Sequence, residues 1–233
     1  MENVIRNRTE RKKEETRRKI IAVAMELFNE RGYARTTVDQ VAEGADVAKG
    51  TIFNHFPSKE AIVAEYVRRN ARETGAEAVN LLKELPDTRS RLTALLQRSL
   101  EWFDKNLNRD VLKVYIVYML QRSLETVKNR GMRSGFNNIL EPIVRMGQEA
   151  GEIRPDISAE ELSNHLEWIS ASVMILWLAY PEKPLSDIIE REVDLFLNGA
   201  FDRRVHEGCF CRVIDKEQTA FFTKKNGHRH NKT

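Results

Sequence analysis

Apolar side chains recur every three or four residues along most of this chain, which is the spacing of one face of an α-helix. Ile20, Ala24 and Leu27 show this spacing near the N-terminus, and it returns between residues 92 and 103. No convincing stretch alternates between apolar and polar side chains in the manner of a strand. The pattern therefore predicts an all-α protein.

Capping and helix-breaking residues divide this pattern into separate helices. Gly32 ends the first helix, Pro57 ends the third and Pro86 ends the fourth, while Ser158 and Glu161 form a capping box. The predicted helices cover residues 16–31, 37–43, 48–55, 58–85, 88–105, 111–124, 125–150, 158–179 and 185–201.

Two of these helices, 37–43 and 48–55, are short and are joined by a tight turn from Gly44 to Val47. These are the dimensions of a helix-turn-helix unit, in which the second helix lays its N-terminal residues in the major groove of DNA. The segment from about Thr37 to Phe56 is therefore predicted to bind double-stranded DNA.

The residues of this segment also form a recognisable motif. They read TVDQVAE at 37–43 and VAKGTIFNHFPSKE at 47–60, after Ala24-x-x-Leu27-Phe28-x-x-x-Gly32-Tyr33-x-x-Thr36-Thr37. This stretch of about 45 residues resembles the signature of the TetR (tetracycline-repressor) family of transcriptional regulators. The resemblance implies a homodimer with an N-terminal three-helix DNA-binding head and a larger helical domain for ligand binding and dimerisation.

The same resemblance implies roles for individual side chains of the head. Thr36 and Thr37 would bind phosphate at the second helix, and Lys59 would neutralise a phosphate at the fourth. Gly50 would allow close approach of the backbone to DNA. The implied DNA-binding set is Thr36, Thr37, Ala48, Lys49, Gly50, Thr51, Phe53, Asn54, His55 and Lys59.

Three positions depart from the family pattern. Asp46 stands where glycine usually closes the turn, although aspartate tolerates a positive φ better than most residues. Ala48 replaces a common serine, and Phe53 replaces a common tyrosine, so two hydroxyl groups are missing. These changes put individual contacts in doubt, and they leave the fold intact.

The rest of the chain is predicted to serve dimerisation and sensing. The domain plan is a basic extension (1–15), the head (16–60), a helical regulatory and dimerisation domain (61–202) and a basic tail (203–233). The last two helices, about 158–201, carry more apolar surface than one face can hide, which favours a two-fold dimer on a palindromic operator.

A ligand pocket is expected among the helices from Thr88 to Ala150, for a largely hydrophobic small-molecule effector. Aromatic residues at helical spacing are also typical of ordinary core, so the candidates define a region only. They are Trp102, Phe103, Tyr115, Tyr118, Met119, Phe136, Met146 and Trp168.

The charge of +3 is unevenly distributed: +4 over residues 1–20, −6 over 21–202 and +5 over 203–233. Basic ends favour binding to a polyanion such as DNA. The two cysteines give no disulfide framework, and neither a secretory signal nor an apolar run long enough for a membrane span appears, so the expected location is the cytoplasm.

Other classes of function leave weaker signals. The sequence shows no glycine-rich phosphate loop, nucleophile elbow or metal-spaced His/Glu pair, so neither an enzyme nor a cofactor is predicted. A metal or redox sensor would use His206, Cys209 and Cys211, with His228 and His230 further along, but this spacing matches no standard zinc site. An activator, or a DNA-binding protein outside transcription, would share the same head.

Overall fold

The structure is a computed structural model that describes the backbone of residues 2–126 and 135–199. The predicted basic tail, with Cys209 and Cys211, lies outside these residues. Within them every regular element is an α-helix, which confirms the all-α fold class. The helices are α1 (Glu2–Arg31), α2 (Val38–Gly44), α3 (Lys49–His55), α4 (Lys59–Lys83), α5 (Thr88–Asn106), α6 (Arg109–Thr126), α7 (Asn137–Glu149), α8 (Ala159–Ala179) and α9 (Leu185–Asn198).

Side-chain caps fix the starts of several helices at the predicted places. The Thr37 hydroxyl accepts a hydrogen bond from Gln40 N, and the Gln40 side chain accepts one from Thr37 N, so the capping box of α2 is complete. Ser58 and Ser158 accept from the backbone of α4 and α8 in the same way. Each such cap satisfies an N–H group that has no partner within its helix.

Helix α1 begins at Glu2, fourteen residues before the start that the apolar periodicity predicts. The added residues are mainly polar. Within them Arg11 forms an ion pair with Glu15, one helical turn later, and Glu14 pairs in the same way with Arg18. Such pairs support a helix without any buried face, and apolar periodicity does not detect them.

The prediction of one continuous helix over 125–150 is wrong. Gly135 has φ +89°, a left-handed conformation that ends or interrupts a helix, and α7 begins only at Asn137. A Cβ at Gly135 would lie 3.5 Å from the Arg68 side chain, so this turn packs on α4.

The head is held together by apolar side chains from four helices. Ile20 and Phe28 of α1, Val41 of α2 and Ile52 of α3 are at most 1% exposed, and α4 buries Ile62. A Cβ at Gly44 would lie 2.7 Å from Val23 Cγ1, so the end of α2 approaches α1 closely. In the body, α7 packs on α8, and α4 packs on α5, α6 and α7. Helix α4 is therefore shared by the head and the body.

No helix within the described residues is both long enough and apolar enough to cross a membrane.

Candidate nucleic-acid interface and effector cavity

The turn between α2 and α3 is closed by Asp46. Its φ of 52° is the single positive value among the non-glycine residues that the structure describes. The backbone bonds Asp46 N–H to Glu43 O (3.0 Å) and Val47 N–H to Ala42 O (3.0 Å) hold the turn. This confirms that aspartate adopts the conformation that glycine usually provides in this motif.

Helix α3 has one buried side and one open side. Ile52 is 1% exposed and anchors the helix in the core, whereas Lys49, Gly50 and Asn54 are exposed. Phe53 is 49% exposed. A Cβ at Gly50 would meet no atom within 4 Å, so the backbone there faces open space. The open side therefore offers polar, cationic and aromatic groups together.

Thr37 is exposed, so its O–H group faces solvent while its oxygen caps α2. Ala48 is the N-cap residue of α3 and makes no side-chain hydrogen bond, as expected from the missing hydroxyl. Thr51 is half-buried, and its backbone N–H donates to Ala48 O at 2.8 Å.

Thr36, one of the residues expected to bind phosphate, has its side chain turned into the protein. The residue is 1% exposed, and its hydroxyl donates to Gly32 O (3.0 Å) and lies 3.2 Å from Leu27 O. It therefore binds the C-terminal end of α1 to the segment before α2. The sequence alone does not show which of the two adjacent threonines, Thr36 or Thr37, turns inward.

Lys59 has a structural role that sequence reasoning missed. Its ammonium donates to Tyr33 O (3.0 Å) and Thr36 O (2.6 Å) and lies 4.3 Å from the centre of the Tyr33 ring. The Tyr33 hydroxyl in turn donates to Glu60 at 2.6 Å. Partial burial lowers the pKa of Lys59. These contacts fix the start of α4 to the loop before α2.

Lys49 is also paired in the free protein. Its ammonium lies 2.9 Å from the Asp39 carboxylate of α2, with 54% and 66% of the two side chains exposed. Such an exposed pair is weak and is easily exchanged for another anion. Lys49 therefore remains available for a phosphate, in competition with Asp39.

His55 lies at the C-terminal end of α3, half-buried against α1. Its Nδ1 is buried without a hydrogen-bond partner. Burial lowers its pKa, and the nearby cations Arg17 and Lys13 lower it further, so the neutral imidazole is favoured. The Arg17 guanidinium also lies 4.8 Å from the centre of the Phe56 ring.

Two adjacent cavities lie within the body. The larger, of about 280 Å³, lies between α4 and α5, and a smaller one of about 60 Å³ extends towards α6 and α8. Both share apolar walls at Val67, Ala71, Phe103 and Phe136. The α4 stretch that lines them is continuous with the stretch that packs on the head.

Five of the eight predicted pocket residues line these cavities: Trp102, Phe103, Tyr115, Met119 and Phe136. The other three do not. Tyr118 and Met146 are half-buried and pack on the general core, and Trp168 is 49% exposed on α8. Sequence reasoning missed the α4 wall, because its small and polar residues, Ala71 and Thr74 among them, resemble an ordinary solvated face.

An apolar surface remains open on the last two helices. Trp168 and Ile175 of α8 and Leu195 of α9 are 42–49% exposed, and Tyr180 after α8 is 43% exposed. These residues lie in the region predicted to form the dimer.

Comparison with known proteins gives consistent matches. The family model described as bacterial regulatory proteins, tetR family, matches residues 20–66. The HTH-type transcriptional repressor KstR2 of Rhodococcus jostii is 26% identical over 144 residues, which are 62% of this chain and 71% of that protein. The fatty acid metabolism regulator protein of Bacillus subtilis is 27% identical over 136 residues, 58% of this chain and 69% of that protein.

A solved structure extends the similarity beyond the head. It is that of Thermus thermophilus FadR, a TetR-family transcriptional repressor, in complex with lauroyl-CoA. The TM-score is 0.65 at 28% sequence identity, and the match covers 80% of this chain and 96% of that one.

Proposed function

We propose that this chain, whose residues 20–66 match the model of the tetR family of bacterial regulatory proteins, is a dimeric transcriptional repressor of the cytoplasm. A small, largely hydrophobic effector would release it from a palindromic operator. The observation that carries this proposal is the open side of α3. Its exposed Lys49, Gly50 and Asn54 stand on a helix that Ile52 anchors rigidly in the head. Base contacts need such a rigid, accessible helix.

In the proposed complex the side chains divide into two groups. Asn54 and Phe53 meet base edges, where an amide binds adenine and an aromatic ring contacts a thymine methyl group. Thr37, Lys49, Thr51 and His55 meet phosphates, and phosphate contacts set the position of the protein on the duplex. Gly50 lets the backbone approach the DNA, since nothing stands above it.

A dimer through α8 and α9 would bury the exposed apolar side chains Trp168, Ile175 and Leu195. A two-fold pair of identical heads then reads two identical half-sites, which is why a palindrome is expected. Replacing Trp168 by glutamate should shift the protein towards monomer in sedimentation equilibrium, whereas the same change at the exposed Val117 of α6 should not. A dimer unaffected by Trp168→Glu would place the interface elsewhere.

For the effector we propose a fatty acyl thioester. The cavities have mainly apolar walls, and similar proteins include one solved with lauroyl-CoA and one named for fatty acid metabolism. Because α4 forms both a wall of the cavity and part of the head, an occupant that displaces α4 changes the placement of the heads. The expected loss of operator affinity is the coupling free energy, typically about 1–3 kcal/mol.

Selection of bound DNA from a random pool, with the full-length protein, tests the first half of the proposal. A palindrome of two half-sites is expected, and recovery without sequence preference would contradict it. Lauroyl-CoA is then titrated into the complex, with free coenzyme A as the control for its head group. Trp102 lines the larger cavity, so a change in the tryptophan fluorescence that is lost in Trp102→Phe reports occupancy independently of release. Binding without release would contradict the repressor mechanism, and absence of binding would contradict the effector class.

A further inference from the structure

A third cavity, which is polar and has a volume of about 520 Å³, lies between α1 and α4, apart from the two apolar cavities. We call it the arginine groove. Its walls are Glu14, Arg17, Arg18, Glu65, Arg68, Arg69, Arg72 and Glu73. Five arginines against three glutamates leave an excess of two positive charges in this space.

The groove is organised around one buried carboxylate. Glu65 is 3% exposed, and it is bound by Arg72 at 2.7 Å, by Arg17 of α1 at 3.2 Å, and by Arg68. A single carboxylate neutralises only one of these three cations. Arg17, Arg68 and Arg72 therefore share one carboxylate, and two of their three positive charges are not neutralised by it.

The arginines of the groove retain spare hydrogen-bond donors. Each guanidinium carries five N–H donors in a planar fork, and the carboxylates use only part of them. Nε of Arg17 is buried without any partner, and the side chains of Arg18 and Arg72 are 65% and 55% exposed at the rim. Planar forks around excess positive charge are the arrangement that binds phosphate oxygens in proteins.

We propose that the arginine groove binds a phosphate-bearing ligand, either the nucleotide end of an effector or a free polyphosphate. On α4 the groove residues Glu65, Arg68 and Arg72 lie on the side opposite the cavity residues Val67, Ala71 and Thr74, because successive residues turn by about 100°. The two sites therefore share one helix. The groove site stands independently of the effector class proposed above.

Binding in the groove would also act on the head. One wall is α1, whose Arg17 covers the Phe56 ring at the end of α3, and the other wall is α4. An anion that draws Arg17 and Arg72 together changes the angle between these helices. The ligand should therefore alter operator affinity as well as occupy the groove.

The test is a calorimetric titration of the full-length protein with sodium tripolyphosphate at low salt. Arg72→Met should weaken binding about ten-fold or more, because a charge-assisted contact is lost. Arg145→Met removes an equally exposed arginine of α7, paired with Glu141 on its own helix, and should change affinity less than about two-fold. Glu73→Gln removes an exposed anion from the rim and should tighten binding. If Arg72→Met fails to fold, Arg18→Met replaces it.

Three outcomes would overturn the proposal: no binding to the unmodified protein, equal affinities of the Arg72 and Arg145 variants, or loss of binding in Lys49→Met. The last result would put the anion on the DNA-reading helix. If coenzyme A competes with tripolyphosphate for the groove, the ligand is the nucleotide end of an effector. If tripolyphosphate binds and coenzyme A does not compete with it, the ligand is a free polyphosphate. Failure of lauroyl-CoA to release the operator contradicts the effector proposal and leaves this titration unaffected.

Discussion

Replacing Asp39 by asparagine should strengthen operator binding while weakening the fold. In the free protein Asp39 holds the Lys49 ammonium at 2.9 Å, and both side chains are more than half exposed. An exposed pair of this kind contributes about 0.2–1 kcal/mol. DNA must overcome that contribution before Lys49 can reach a phosphate, so its removal should tighten binding by about 1.4-fold to 5-fold. Asp39 is also the acidic residue in the first turn of α2, where a negative charge stabilises the helix by about 0.3–1 kcal/mol.

The assay is fluorescence anisotropy with the selected operator, measured at several salt concentrations, beside urea unfolding of the free protein. Asp110→Asn is the control, since Asp110 also forms a mostly exposed pair, with Lys113 at 3.4 Å on α6. Lys49→Met should lower the salt slope of log affinity by about 0.9, the value for one phosphate. Weaker operator binding by Asp39→Asn would refute the reasoning, because it would mean that Asp39 acts within the DNA complex.

Three further predictions concern the head. Gly50→Ala should stabilise the fold by up to about 1 kcal/mol in urea unfolding, because alanine favours a helix and its methyl group would meet no other atom. The same change should weaken operator binding, because the methyl group would stand between the backbone and the DNA. Unchanged affinity would place the DNA away from Gly50. Thr36→Val should lower the free energy of unfolding by about 1–3 kcal/mol and leave the operator affinity of the folded protein unchanged. Thr37→Ala should lower the free energy of unfolding by about 1 kcal/mol and also reduce operator affinity. Equal effects of the two changes on operator affinity would contradict the assignment of Thr36 to the core and of Thr37 to the DNA. The pKa of His55 in the folded protein lies below its ordinary value of about 6.5. The neutral imidazole therefore contributes to the free energy of unfolding above pH about 6.5, and this contribution is lost as the pH falls through the lowered pKa. His55→Gln should therefore flatten the decline in unfolding free energy between about pH 7.5 and about pH 5.5, and an unchanged decline would assign it to other groups.

Local sequence signals predicted the parts of the head that depend on local chemistry. The start of α2 at Thr37 and the left-handed Asp46 each follow from a few adjacent residues, and the structure confirms both of them. Such features depend on backbone geometry within one or two turns. They are fixed before any packing between helices is known.

Features that depend on packing between distant helices could not be predicted in the same way. Helix α8 is apolar almost all round in its second half, so periodicity does not distinguish an inward position from an outward one such as Ile175. Glu65 has the sequence character of a solvated residue, and its burial depends on Arg17 of the distant helix α1 as well as on Arg68 and Arg72 of its own helix. The carbonyl groups that bind Lys59 belong to residues more than twenty positions earlier.

The sharing of α4 between head and body sets a rule for engineering chimeras, in which the DNA reader of one regulator is joined to the sensor of another. A junction before Lys59 would separate that ammonium from the Tyr33 and Thr36 carbonyls, and it would part Arg17 from Glu65. A functional graft should therefore carry the donor chain at least to Tyr66, where the family match also ends. The DNA-binding and sensing domains can therefore be exchanged between regulators only if the junction lies inside the continuous helix α4.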